Sequence, residues 1–194
     1  MANTISNVAA GKPLGTGGIL IADTGTALPA TASVTLNVGF VAAGYIGDGG
    51  VTESTGRTTE KVRAWGGETV KVLQTDFSVT YSFTFIEALN ETVLEAVYGD
   101  DNVVTTAATI STGTLHAVKV NSDTLAHKSF VFEIRDGDAK VRIVVPDGQI
   151  TEVGDVTYND GSVIAYPVTV EAFEDSTLGA NAIKYMDDGV VDPA

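Results

Sequence analysis

Two histidines, His116 and His127, and several Asp-rich turns are the residues whose types could serve metal or acid–base chemistry. A helical zinc pair places its histidines four residues apart, so that both rings share one face. His116 and His127 lack that spacing. No cysteine is present, which removes disulfides, thiolate metal sites and thiol nucleophiles. Asp100-Asp101-Asn102, Asp136-Gly137-Asp138, Asp155 and Asn159-Asp160 invite a calcium reading. None fits an EF-hand loop or a nonapeptide repeat, and Asp-Gly turn chemistry accounts for them without metal. Gly11-Lys12 to Gly18 is a faint echo of a phosphate loop, but its lysine comes early and no helix follows. There is no Gly-x-Ser-x-Gly elbow. The expectation is a protein with no catalytic residue, no cofactor and no metal.

The 194 residues suit one domain with extensions. Val, Thr and 21 glycines favour β-structure with many turns. The net charge of -14 opposes binding to phosphate, so nucleic acid is a poor direct ligand. The first residues lack a basic stretch followed by an apolar core, and no apolar run reaches membrane length. A soluble protein made inside the cell is expected, with no membrane partner.

Along the chain, residues 1–32 read as an N-terminal arm, with Ile19, Leu20 and Ile21 as its apolar contact group. Ser33 to Val41 alternates as a half-buried strand does. Gly47 to Gly67 reads as a polar loop too long for an ordinary hairpin, holding the sole tryptophan, Trp65. A tryptophan in a surface loop commonly needs a partner to cover its ring. Phe77, Val79, Tyr81, Phe83 and Phe85 alternate with Ser78, Thr80, Ser82 and Thr84, giving one core face and one polar face. Thr75-Asp76 marks a turn or bulge before this strand. Asn90 caps a helix over about 90–98, with Val93, Leu94 and Val97 as its apolar stripe and Gly99 as its stop. Strands with tight turns at Asp136-Gly137-Asp138, Pro146-Asp147-Gly148 and Asn159-Asp160-Gly161 follow. The body is placed at 33–174 and an acidic C-terminal extension at 175–194. The fold class is mainly β: a β-sandwich or partly closed barrel with one flanking helix.

Three segments, GYIGDGGVTES, TTEKVRAWGGETVK and TFIEALNETVLEAVYGDDNV, lie in order between Gly44 and Val103. Together they resemble the major tail protein of long-tailed, non-contractile phages of the siphovirus type, most closely those of actinobacterial phages. The resemblance implies a β-sandwich with a flanking helix, in hexameric rings that stack head to tail into a tail tube. It implies that Gly47 to Gly67 is the stacking loop, with Asp48, Val51, Glu53, Arg57, Glu60, Lys61, Arg63 and Trp65 as inter-ring contacts. The strands from Glu68 to Ile86 become candidates for the lumen wall, with Ser78, Thr80, Ser82 and Thr84 as candidates to face lumen or partner. Implied partners are further copies of the chain and the tape measure, tail tip and tail terminator proteins. DNA would pass through the lumen unbound, in a virion assembled in the host cytoplasm. The alternatives are a capsid decoration or tail terminator protein, a secreted carbohydrate-binding β-sandwich, and a calcium-dependent adhesin domain.

Overall fold

The computed structural model describes residues 8–14 and 17–191. Ten strands and one α-helix are found among them. In chain order they are β1 (Ile19–Asp23), β2 (Val41–Ala42), β3 (Thr52–Arg63), β4 (Thr69–Phe85), α1 (Glu91–Tyr98), β5 (Val103–Thr106), β6 (Leu115–Val118), β7 (Lys128–Asp136), β8 (Ala139–Val153), β9 (Tyr166–Phe173) and β10 (Ile183–Asp187). The main sheet runs β2-β1-β7-β8-β9-β4-β3, wholly antiparallel, and β10 also pairs with β8. β5 and β6 form a separate small sheet. The sheets do not close into a barrel, and the fold is mainly β and sandwich-like with a single helix.

β8 organises the main sheet. Its first half pairs with β7 and, through Lys140 to Val144, with β10. Its second half pairs with β9 from Asp147 to Val153. A bulge separates the halves: Phe130 faces Val145 while Lys128 faces Gly148. The extra residue falls at Pro146-Asp147, where a turn was expected. The strand bends there and continues, as bulged strands do. Proline cannot donate to a ladder, so it is tolerated at such a point. The Ser129 hydroxyl donates to the Pro146 carbonyl at 2.6 Å and supplies a partner inside the sheet. Gly148 is required for close packing, because a Cβ there would lie 2.9 Å from the Phe130 ring and 3.0 Å from Val170. The Asp136-Gly137-Asp138 turn forms as expected, with Gly137 at a φ of 61°.

One face of this sheet holds the core. Tyr81, Phe85, Phe130, Phe132 and Val170 are fully buried on it. Tyr81 stacks on Phe132 at 5.0 Å, and Phe83 meets Phe85 and Phe132 edge-on at 5.0 and 5.8 Å. Helix α1 lays Val93, Leu94 and Val97 on this core. The Asn90 side chain accepts from the Thr92 amide at 3.0 Å, and Gly99 ends the helix, both as expected.

The opposite face carries a smaller cluster of Ala22, Phe40, Val131 and Val144, with Leu28 and Leu36 against it. Here two expectations fail. Ser33 to Val41 does not form the expected strand; it is an irregular strap ending in the two residues of β2. Val38 is 98% exposed. The Arg142 guanidinium takes over the ladder's role: it donates to the carbonyls of Thr31 and Val34 at 2.7 and 2.8 Å, and to Glu133 at 2.6 Å. Nor are Ile19, Leu20 and Ile21 a free arm group. Ile19 and Ile21 are buried in β1 between β2 and β7, because their apolar surface is used within the chain. The acidic tail likewise contributes β10 to the main sheet.

Phe83→Ala is expected to cost about 3–5 kcal/mol in chemical denaturation, while Thr80→Ala changes little. Arg142→Ala leaves Glu133 buried without its cation and should cost about 3–5 kcal/mol. A loss from Arg142→Ala no larger than that of Thr80→Ala would refute the strap's dependence on this pair.

Candidate assembly interface

The segment expected as a loop from Gly47 to Gly67 is mostly strand. Thr52–Arg63 pairs with Thr69–Ser82 in a long hairpin. The reason it was unreadable is that burial, not pairing, makes strand periodicity visible. β9 supports β4 only from Val79 to Phe85. Beyond Val79 the hairpin is a two-stranded ribbon, with both faces exposed from Arg57 to Arg63 and from Thr69 to Phe77. We call this ribbon the arm. Phe77 was expected in the core, yet it is 36% exposed, because it lies two residues past the end of the β9 ladder at Val79.

Local contacts hold the arm in shape. The Arg57 guanidinium lies 4.5 Å from the Phe77 ring centre and donates to Gln74 at 2.9 Å. Bulges fall opposite Thr58/Thr59 and Val62/Arg63, the first at the expected Thr75-Asp76 position. They add twist and discourage flat edge pairing. At the tip, Gly67 adopts a φ of 85° and its amide donates to Ala64 at 2.8 Å. Arg63 donates to the Gly67 carbonyl at 2.9 Å. Trp65 stands at this tip fully exposed. Cross-strand partners combine one charged and one apolar residue: Glu60 with Leu73, Lys61 with Val72, Val62 with Lys71. Neither face can serve as a core face, and Val62, Val70, Val72 and Leu73 remain uncovered.

The expected inter-ring residues therefore divide. Arg57, Glu60, Lys61, Arg63 and Trp65 belong to the arm. Glu53 lies at its root and accepts from Lys184 of β10 at 2.6 Å, so it is engaged within the chain. Burial, and then the Glu53 carboxylate, push the phenol of the neighbouring Tyr81 well above its ordinary range. Val51 packs against the main core and is not a surface contact. Asp48 is exposed in a turn whose Gly47 amide donates to the Thr84 carbonyl, at the end of β4 remote from the arm. Ser78, Thr80, Ser82 and Thr84 share a half-buried face, where Ser82 and Thr169 hydroxyls meet at 3.1 Å.

The polar residues weighed for chemistry are occupied separately. His116 meets the Thr105 hydroxyl at 2.9 Å. His127 meets Asp147 at 2.5 Å and lies against Phe173. Lys128 bridges Asp23 and Asp100 at 2.8 and 2.5 Å beside a cleft of about 280 Å³. Burial, and then Asp100 and Glu91, push the Glu95 carboxyl up at that cleft. Among the described residues no three His, Asp or Glu side chains converge to hold a metal ion. No helix among them is long and apolar enough to cross a membrane.

A surface at the other end of β4 escaped the sequence reading. Ile86, Ala88, Leu89, Val163 and Ile164 line an open groove of about 600 Å³. Leu89 is 81% exposed and Val163 67%. The available signal was Leu89 itself. A hydrophobic residue just before an N-cap ordinarily packs on the fourth helical residue, here Leu94. That residue is buried while Leu89 points away into solvent.

The model of the phage tail tube protein family matches residues 6–193, and the chain belongs to that family. No curated protein matches it. Among solved structures it is similar to the anti-feeding prophage cap, a tube-terminating cap, at 11% identity and a TM-score of 0.45, covering 96% of this chain and 100% of that one. It is also similar to a chain of the PVC sheath–tube complex of an extracellular contractile injection system in its extended state. There the identity is 8% and the TM-score 0.41, with 94% of this chain and 98% of that one covered. Likenesses this distant carry no argument about contacts.

In dispersed subunits, amides of the arm are expected to exchange with deuterium at least about a hundredfold faster than those of β7 and β8, since a lone hairpin is marginal in water. Equal protection would show that the arm is already covered.

Proposed function

We propose that this tail tube protein polymerises as stacked rings, six subunits each, to form the tube of a long, non-contractile phage tail. The observation that carries the reading is the arm: a two-stranded ribbon whose apolar residues, Trp65 foremost, find no cover among the described residues. A contact between an arm and a different patch on the next copy is heterologous, and repeats without closing as a two-fold pair does. The arm is thus the stacking element, in place of a flexible loop. Ser78, Thr80, Ser82 and Thr84 are proposed for the lumen or a partner face. Actinobacterial hosts are the proposed setting, with assembly in the host cytoplasm.

The charge supports the same reading. DNA crossing the lumen during ejection must not stick, and a net charge of -14 offers no counterion release on contact with phosphate. Tape measure, tail tip and tail terminator proteins are the proposed partners besides the chain itself. In this reading the protein is a structural part of the virion and not an enzyme.

Replacing Thr59 to Gln74, which face each other across the arm, by an Asn-Gly turn should leave a folded, soluble subunit. Electron microscopy of wild-type protein should show tubes or stacked rings, and of the deletion none. The wild-type protein should leave duplex DNA unshifted on a gel at moderate salt. Normal tubes from the deletion would sink the stacking role of the arm, and a tight, salt-sensitive DNA complex would sink the passive lumen.

A further inference from the structure

We infer that the groove between Ile86–Asn90 and Val163–Ile164 is the acceptor for the arm tip of the next copy, with Trp65 as the residue that enters it. This inference rests on the head-to-tail reading above and names its second surface.

Position is the first argument. β4 starts at Thr69 beside the arm tip and ends at Phe85, and Ile86 begins the groove. Tyr166 pairs with Phe85, which brings the preceding Val163 and Ile164 to the same end. Donor and acceptor are therefore separated by a 17-residue strand, roughly 55 Å at the rise of extended chain. A shift along β4 places one copy's tip at the next copy's groove, and the step can repeat.

Chemistry is the second. The groove is mostly apolar, with Glu87 and Asn90 also in its lining, and an opening of about 600 Å³ admits an indole ring. The unclosed staple at Leu89 leaves a large side chain that no described residue covers. Charge is the third. Residues 57–76 hold Arg57, Lys61, Arg63 and Lys71 against Glu60, Glu68 and Asp76, so the arm carries one net positive charge while the chain as a whole carries -14. The segments around the groove, 44–50, 86–91 and 158–165, hold Asp48, Glu87, Glu91 and Asp160 and no lysine or arginine. A tip of net positive charge bearing an aromatic anchor fits a mostly apolar groove lined by Glu87 and flanked by segments whose only charges are carboxylates.

Leu89→Asp and Trp65→Ser test the pairing, because both side chains are exposed and neither change should alter the melting temperature. Each should raise the protein concentration needed for tubes by at least about tenfold, the effect expected of a buried anchor. A mixture of the two should yield paired rings but no long tubes, since only one arm–groove combination is intact. The chain has no cysteine, so Gly66→Cys with Val163→Cys gives an unambiguous cross-link. With a short bis-maleimide, assembled protein should give a covalent ladder, and either single variant none. If Leu89→Asp builds normal tubes and no ladder forms, while loss of the arm still blocks stacking, the acceptor lies elsewhere and the inference is overturned on its own. If the arm deletion stacks normally, the head-to-tail reading and this inference fall together.

Discussion

The bend in β8 is the constraint on which the remaining architecture depends. One strand of 15 residues carries β7 along one edge and two successive partners, β10 and β9, along the other. The bulge at Pro146-Asp147 turns the second half relative to the first. That lets Phe130 and Phe132 from β7 meet Tyr81, Phe83 and Phe85 from β4 around one core. β9 then fixes β4, and its ladder stops at Val79. The point where the body ends and the arm begins is set by that last pair. Ser129 and Gly148 sit at the bend, the first giving Pro146 a hydrogen-bond partner and the second leaving room for Phe130.

An exposed ribbon is a hazard as well as a tool. Its outer strand, β3, has a free edge, and free edges pair indiscriminately unless something prevents it. In β3 only Val62 among twelve residues is a large aliphatic, and Glu53, Arg57, Glu60, Lys61 and Arg63 place charge along it. The apolar groups are concentrated on β4 and at the tip instead. The two strands thus differ: β3 carries the charge that resists non-specific sheet extension, and β4 carries most of the exposed apolar area.

How far the sequence could be read follows from where burial occurs. The Val79–Phe85 alternation, the Asn90 cap and the Asp136-Gly137 turn were legible because local chemistry and the core agree there. β3 was illegible because a ribbon with no buried face carries no hydrophobic period. Ser33 to Val41 misled in the opposite direction. It alternates, but the carbonyl of Val34 within it and that of Thr31 just before it are met by Arg142, more than a hundred residues away. The same distance problem hid the groove, since Leu89 and Val163 come together only through the pairing of β4 with β9. Arg57 to Trp65 share one projecting ribbon, whereas Val51, Glu53 and Ile19 to Ile21 were absorbed by the fold.

Charge placement bears on orientation more than on strength. Subunits carrying -14 repel each other, but at physiological salt the repulsion fades within about 8 Å. Apolar contact must then supply most of the stability of a stack, and close charges select among geometries. In the proposed arrangement, two groove ends facing each other would oppose Asp48, Glu87, Glu91 and Asp160 to their own copies. Two tips facing each other would oppose Lys61, Arg63 and Lys71 to theirs. Only the arm-to-groove contact sets unlike charges together while also covering Trp65 and Leu89. A polymer with one direction follows from that asymmetry.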